Sequence, residues 1–309
     1  MEESPEERVG VVLLTNRSRL SRDPVALQAD RWRLIRRGVL LYAGGYVLDW
    51  IWPGTILFYY GAFFIVASVI FTLRIRWLVV IGAASAVIAA AVQWWAFERS
   101  NDGHDATWLL GSSPRSPRSL LFDTMVNGTH PLFPWLAFLC AGMVIGRLLP
   151  EIDRWRWRLV GLGVVLLVGG YGLSSIVTRL GDDDSIDALR FDVLGRTDPF
   201  NRGLLYTIVT LGSSLIAVLV ISWLAERSPD SALVDVLRRA GQMTLTLYLL
   251  HVVVFNGIVN TAGWVTPTGL DTALAFAGGF WVIAILFGAW WNRFLGMGPV
   301  ERIYRRFGG

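Results

Sequence analysis

Histidine titrates close to neutral pH and is the side chain best suited to general acid–base work. The chain has 3. His130 stands in Asn127-Gly128-Thr129-His130-Pro131, and Asp123 precedes it by seven residues. On a continuous helix the two would share a face, placing a carboxylate and an imidazole where they could take a proton from a hydroxyl or an amine. The alternative is an ordinary loop histidine. His251 stands about ten residues into an apolar run, and Thr244, Tyr248 and His251 follow the i, i+4, i+7 rule. That stripe is either a proton relay or a set of hydrogen bonds that hold helices together, worth about 0.6 kcal/mol each. Asn256 and Asn260 lie further along, on a different face. Asp49, in Val47-Leu48-Asp49-Trp50, either reaches to the interface as a cap or faces a cavity and takes a substrate amine or hydroxyl. His104 sits in a polar loop and receives no role.

Several chemistries are absent from the sequence. There is no GxSxG, HExxH, Walker A or CxxC pattern. Asp182, Asp183, Asp184 and Asp187 resemble a hard-cation cluster but lack EF-hand spacing; the segment reads as a solvated loop, with metal or sugar binding as the other option. No metal site is expected. The single cysteine, Cys140, lies in an apolar run, which excludes an internal disulfide.

These residues are set in an apolar frame. Hydrophobic residues make up 54% of the 309, charged residues 17%, and mean hydropathy is +0.50. Residues 54–73 and 77–97 contain no charge. A helix rises about 1.5 Å per residue, so about 20 apolar residues cross a hydrocarbon core about 30 Å thick. Inside lipid the backbone must satisfy itself as helix or closed barrel, and continuous rather than alternating apolarity selects helix. The fold is therefore expected to be all-α, a polytopic transmembrane bundle of about eight spans near 36–52, 54–73, 77–97, 132–149, 157–178, 204–224, 241–261 and 273–292. The expected organisation is a cytoplasmic segment 1–35, a single bundle 36–296 and a cytoplasmic tail 297–309. Gly44-Gly45 and Gly169-Gly170 read as small-residue packing sites.

Orientation follows from arginine. All 28 cationic residues are Arg. Of these, 21 fall in 1–37, 74–76, 147–158, 225–240 and 293–309, and 7 fall in 98–131, 179–203 and 262–272. The positive-inside rule makes the first set cytoplasmic, and both termini with it. The same distribution explains the sequence pI near 9.6 by topology and argues against a nucleic-acid partner. In 98–131, Ser112–Arg118 is turn-rich, and Leu120–Phe122 with Leu132–Trp135 reads as an amphipathic approach to the bilayer. The 15 tryptophans suit interfacial anchoring.

Three stretches resemble one family. Asn127-Gly128-Thr129-His130-Pro131, with the run that follows to Arg147, resembles its external-mouth motif and next span. Ala240–His251 resembles its G-x-M-x-L-T-x-Y helix, and Gly298–Arg302 its GPLE tail. With Arg36-Arg37 opening a span, they identify the YeiB-like membrane family of unknown function, grouped with transmembrane acyltransferases such as heparan-α-glucosaminide N-acetyltransferase. The resemblance implies transfer of an acetyl or other acyl group from cytoplasmic acyl-CoA to a glycan or glycolipid on the far side of a bacterial plasma membrane. His130 or His251 would be the base, and Asp49, Asp123, Tyr248 and Asn256 would bind the acceptor. Arg36, Arg37, Arg74, Arg76 and Arg147 would hold the CoA phosphates. A homodimer is compatible with it. The family's early spans, its Asp-x-x-Arg-Gly motif and the acetyltransferase's early histidine have no counterpart here, so that histidine is not carried onto His130. The start at Arg8-Val9-Gly10 reads as the cytoplasmic end of a missing helix, as expected of a truncated gene product or of a start codon chosen too far downstream. A transporter or flippase using His251, Tyr248 and Asn256, or a non-catalytic scaffold, are the rival readings.

Overall fold

Asp23 and Pro24 start the first helix as a capping residue and a proline should: the Asp23 carboxylate accepts from Val25 N at 3.0 Å, and Pro24 occupies the first turn, where no backbone donor is needed. The computed structural model describes residues 23–106, 109, 117–180, 186–198, 201–266 and 268–308. Among them every regular element is helical: α1 Pro24–Asp49, α2 Leu57–Ile70, α3 Ile75–Asn101, α4 Pro117–Phe122, α5 Leu132–Leu148, α6 Ile152–Leu180, α7 Ile186–Gly195, α8 Leu204–Arg227, α9 Ala232–Gly241, α10 Thr244–Phe255, α11 Leu270–Leu295 and α12 Pro299–Gly308. Wide π-type turns occupy Asp123–Asn127 and Asn256–Thr261, and a 3₁₀ turn occupies Leu149–Glu151. The segment holding Arg8, the turn-rich stretch Ser112–Ser116 and the acidic residues Asp182–Asp184 lie outside the described residues.

The all-α expectation holds among the described residues. Five helical stretches there are long and apolar enough to cross a membrane: α3, α5 continued through α6, α8, α10 with its following turn, and α11. Helix α2 is apolar but shorter. Only 11% to 33% of each stretch's most apolar window is buried inside the protein. The remaining apolar surface, such as Val165, Val168, Val282 and Ile283, therefore needs an apolar solvent.

The helices divide into two compact units, which meet in sequence at Ile221 and Ser222. In the first, α1 and α2 form an antiparallel pair whose backbones nearly touch. A Cβ on Gly61 would lie 2.4 Å from Tyr42 N and 2.5 Å from Gly38 O, and one on Gly45 would lie 2.3 Å from Phe58 N. The link between them turns at Gly54, with φ +91°, whose N–H donates to Asp49 Oδ1 at 3.2 Å. Leu34, Phe71, Leu78, Leu136, Cys140 and Met143 build the core from α1, α3, α5 and the end of α2. A second close approach joins α6 to α8, where Gly163 faces the Gly212 carbonyl. Of the two glycine pairs singled out in the sequence, Gly45 and Gly170 make tight contacts, while Gly44 and Gly169 have open space.

In the second unit α10 and α11 run antiparallel, with Leu247 against Gly288 and Phe255 against Phe276. Glu301 of α12 reaches the first turn of α10. Its carboxylate accepts from Thr246 N at 2.9 Å and from the Thr246 hydroxyl, while Val300 N donates to that hydroxyl at 3.2 Å. A carboxylate from another helix thus caps exposed backbone donors at the positive end of α10.

Two outcomes follow. Gly61→Ala should lower stability by about 1–3 kcal/mol, because its new methyl group meets backbone, whereas Gly44→Ala should leave the melting temperature unchanged in the same detergent. Glu301→Ala should cost about 1–2 kcal/mol through loss of the cap, measurable as earlier thermal unfolding, and Glu301→Gln should recover part of it.

Candidate functional site

The end of α1, the start of α2, the turn Asp123–Asn127 and the residues before α8 converge on one polar cavity of about 420 Å³. Asp49, Trp50, Tyr59, Asp123, Asn127, Thr129 and Arg202 are among its walls. Each is placed by a local feature. Asp49 is the last residue of α1 and is oriented by Gly54 N. Tyr59 is buried one turn into α2, and its phenol oxygen accepts from Thr129 N at 3.0 Å. Asp123 opens a π-type turn, a feature that often re-aims side chains at functional sites, and accepts from Asn127 Nδ2 at 3.3 Å. Behind it, the Tyr42 and Thr124 hydroxyls pair at 2.9 Å.

Gly128 is required here by space. A Cβ at that position would lie 1.9 Å from the Tyr59 hydroxyl. Arg202 completes the wall: its Nη2 donates to Gly128 O at 2.6 Å and also to Asn127 O. Its Nε is buried without a protein acceptor. The guanidinium therefore holds the 127–128 backbone in place and keeps donor capacity beyond those two carbonyls.

Two carboxylates and one guanidinium share this space. Burial pushes the Asp123 carboxyl above its ordinary range, and the charge of Asp49 adds to the effect; the Asn127 hydrogen bond and Arg202 pull the other way without cancelling it. Burial likewise disfavours the charge on Arg202, opposed by Tyr59 and Asp123, though a guanidinium keeps its proton in a protein. A half-buried carboxylate of raised basicity beside hydroxyl and amide groups is suited to accept a proton from a bound hydroxyl or ammonium.

Asp49 and Asp123, proposed separately from the sequence, are thus brought together. His130 is not on that wall. The helix stops at Asn127, so Asp123 and His130 do not share a helical face, contrary to the continuous-helix expectation; the π-type turn and the extended backbone at Gly128 redirect the chain. The His130 ring packs against Tyr59 (6.0 Å between centroids) and Trp135 (5.5 Å), and Nδ1 lies 3.1 Å from the Thr129 hydroxyl. Burial lowers its pKa, which keeps the imidazole neutral near pH 7. It adjoins two cavity residues, Tyr59 and Thr129.

His251, Tyr248 and Asn256 lie in the second unit. The expected stripe on α10 is present: the His251 and Tyr248 rings lie 5.0 Å apart, and His251 Nδ1 meets the Tyr248 carbonyl. Asn256 donates to Val252 O at 2.9 Å, and Asn260 to Asn256 Oδ1 at 2.7 Å. Among the arginines, Arg36, Arg74 and Arg76 are exposed and Arg37 is half-buried. Arg76 lies over the Trp77 ring. Arg147 donates to Leu73 O at 2.5 Å and Phe71 O at 2.7 Å, which caps the end of α2. Arg31 stands over the ring of Phe71 and joins this basic end.

Sequence reasoning missed Arg202, Tyr59 and Thr129. Arg202 had a usable signal: it is one of seven arginines on the side that the positive-inside rule makes poor in arginine. It also missed a neighbouring cavity of about 480 Å³, walled by Gln93, Ser100, His104, Asp105 and Asn201. A third cavity, about 390 Å³ and almost wholly apolar, lies among α3, α5, α6 and α8, with Gly82, Ala86, Cys140, Leu166, Thr207 and Leu211 on its walls.

A group whose folded-state pKa is raised stabilises the fold below its ordinary pKa, and that contribution is lost as pH climbs through the folded value. Asp123→Asn should therefore raise the melting temperature at pH 7–8, and the gap to the parent protein should close as the buffer is acidified towards pH 4. A gap that widens on acidification would contradict the assignment.

Residues 188–308 match the family model described as a protein of unknown function (DUF418). That segment contains Arg202, the Ala240–His251 motif and the Gly298–Arg302 motif, and stops short of the Asn127–Arg147 motif. No curated protein and no solved structure matches the chain. Over this segment the chain is similar to an uncharacterised family.

Proposed function

We propose that the chain is a membrane-embedded acyltransferase that moves an acyl group from cytoplasmic acyl-CoA to a hydroxyl or amine of an extracytoplasmic glycan or glycolipid, and that the cavity holding Asp49, Asp123 and Arg202 is the acceptor site. The observation that carries this reading is the convergence of two carboxylates, a phenol, an amide and a guanidinium from separate elements on one polar cavity. Such a set suits a polyhydroxylated or amino headgroup, because carboxylates and an arginine fork together satisfy both donors and acceptors. The Arg distribution favours cytoplasmic termini, an orientation in which the cavity would open on the extracytoplasmic side of the membrane. The resemblance to the YeiB-like family supports acyl-CoA as donor.

In the proposed reaction the acceptor oxygen or nitrogen attacks the thioester carbonyl. Asp123 takes the acceptor's proton, the carbon–sulfur bond breaks, and CoA leaves as a thiolate that is then protonated. Asp49 and Asn127 orient the acceptor, Arg202 holds the loop that carries Asn127 and Gly128, and His130 supports Tyr59. The apolar cavity in the same unit gives an acyl group a dry place among the helices. On the basic side Arg31, Arg36, Arg37, Arg74 and Arg76 supply the cations for the CoA phosphates.

Proteoliposomes given labelled acetyl-CoA on one side should transfer label to an amino sugar or lipid-linked glycan on the other. Asp123→Asn should reduce that transfer at least 100-fold, the scale of a lost general base, with little change in folded yield. No transfer to any of several acceptors, or a solute crossing without acyl-CoA, would overturn the proposal.

A further inference from the structure

Helices α9 and α12 lie at the same end of the α10–α11 pair. Helix α9 leads directly into α10 and packs Ala240 on Gly288 of α11, and α12 is tied to the first turn of α10 through Glu301 and Thr246. The two short helices repeat one pattern. Each exposes an apolar pair at i, i+4, Leu233 with Leu237 and Ile303 with Phe307, all between 48% and 66% exposed. Arginines flank each pair: Arg238 in α9, Arg302 and Arg306 in α12.

The charge at this end is net positive. The stretches 225–241 and 293–308 hold seven arginines and four carboxylates, Glu226, Asp230, Asp235 and Glu301. Asp235 and Glu301, the two carried by the short helices, are engaged internally. Asp235 is bonded by Arg238 at 2.5 Å and Arg239 at 2.7 Å, and those bonds hold its carboxyl below the usual range. Glu301 caps α10. What faces outward is two apolar pairs with exposed Arg238, Arg302 and Arg306 beside them and an excess of arginine over carboxylate, at the end of a helix pair whose flanks are apolar. A short helix of this composition buries its apolar edge at the acyl–headgroup boundary and keeps its arginines at the phosphate level.

We propose that α9 and α12 form one interfacial surface that binds the headgroups of acidic phospholipids in the leaflet at that end of the α10–α11 pair. The occupant is set by charge complementarity and by continuity with the apolar flanks of α10 and α11: each phosphate accepts from an arginine fork, and basic residues near a membrane surface add attraction for anionic lipid. This inference does not depend on the acyltransferase reading.

Two measurements test it on the full chain. Nitroxide labels at Leu237→Cys and Phe307→Cys in a Cys140→Ala background, reconstituted in nanodiscs, should collide with oxygen more than with an aqueous nickel chelate, and a label at Arg306→Cys should show the reverse. Native mass spectrometry with equimolar phosphatidylglycerol and phosphatidylcholine should show preferential phosphatidylglycerol retention, falling about fivefold for each arginine removed in Arg302→Gln, Arg305→Gln and Arg306→Gln. Aqueous exposure of the Leu237 and Phe307 labels would overturn the proposal. So would labels shielded from both reagents and dipole-coupled between two copies, which would make the surface a protein interface, or parent protein without lipid preference.

Discussion

Helices α1 and α2 approach until backbone meets backbone, at Gly38, Gly45 and Gly61. Lipid tails are as apolar as leucine, so burial of apolar side chains gives little drive for helices to associate inside a bilayer, and close packing through small residues does much of that work. The remainder of the first unit follows from this approach. It sets the height of Asp49 at the end of α1 relative to Tyr59 near the start of α2, and it allows one glycine turn, at Gly54, to close the pair. With Tyr59 fixed, its phenol takes the backbone N–H of Thr129, and Gly128 is the residue that lets it come so close.

Electrostatics in the cavity then follow from geometry. Asp49 and Asp123 are held on one wall with a single guanidinium, and that guanidinium is partly committed to carbonyls. Burial keeps the Asp123 carboxyl above its ordinary range, and the charge of Asp49 adds to the effect. Holding such a group costs stability, which is a common trade at sites built to move protons. The basic end of the same unit divides its arginines in another way. Arg147 spends its fork on the end of α2, a structural task, while Arg74 and Arg76 stay exposed.

In the second unit, two motifs separated by about fifty residues meet through one carboxylate. Glu301, in Gly298-Pro299-Val300-Glu301, caps the helix that opens at Thr244 and carries His251. The pairing gives a physical reason for both motifs to occur together within the segment that matches the uncharacterised family. Asn292 donating to Gln242 Oε1 at 3.1 Å adds a second tie at the same end.

Much of the fold was legible in the residues themselves. Charge-free runs such as 77–97 must be helical in lipid, because a buried backbone has no other partner there, and the runs expected to span coincide with helices. Gly44-Gly45 and Gly169-Gly170 were readable as packing sites because only small residues let helices touch, but which member of each pair makes the contact was not. Asp49 was readable as a candidate because a carboxylate in an apolar run needs a reason to be there, whereas Asp123 was picked out for a helical face shared with His130 that the structure does not form. The site itself was not legible. A single π-type turn at Asp123–Asn127 rotates Asp123 away from His130 and towards Asp49, and nothing in the local sequence distinguishes that turn from ordinary helix. Arg202 reaches back across some 75 residues to two carbonyls, and such partners are chosen by tertiary packing, which brings together groups that chain order keeps apart.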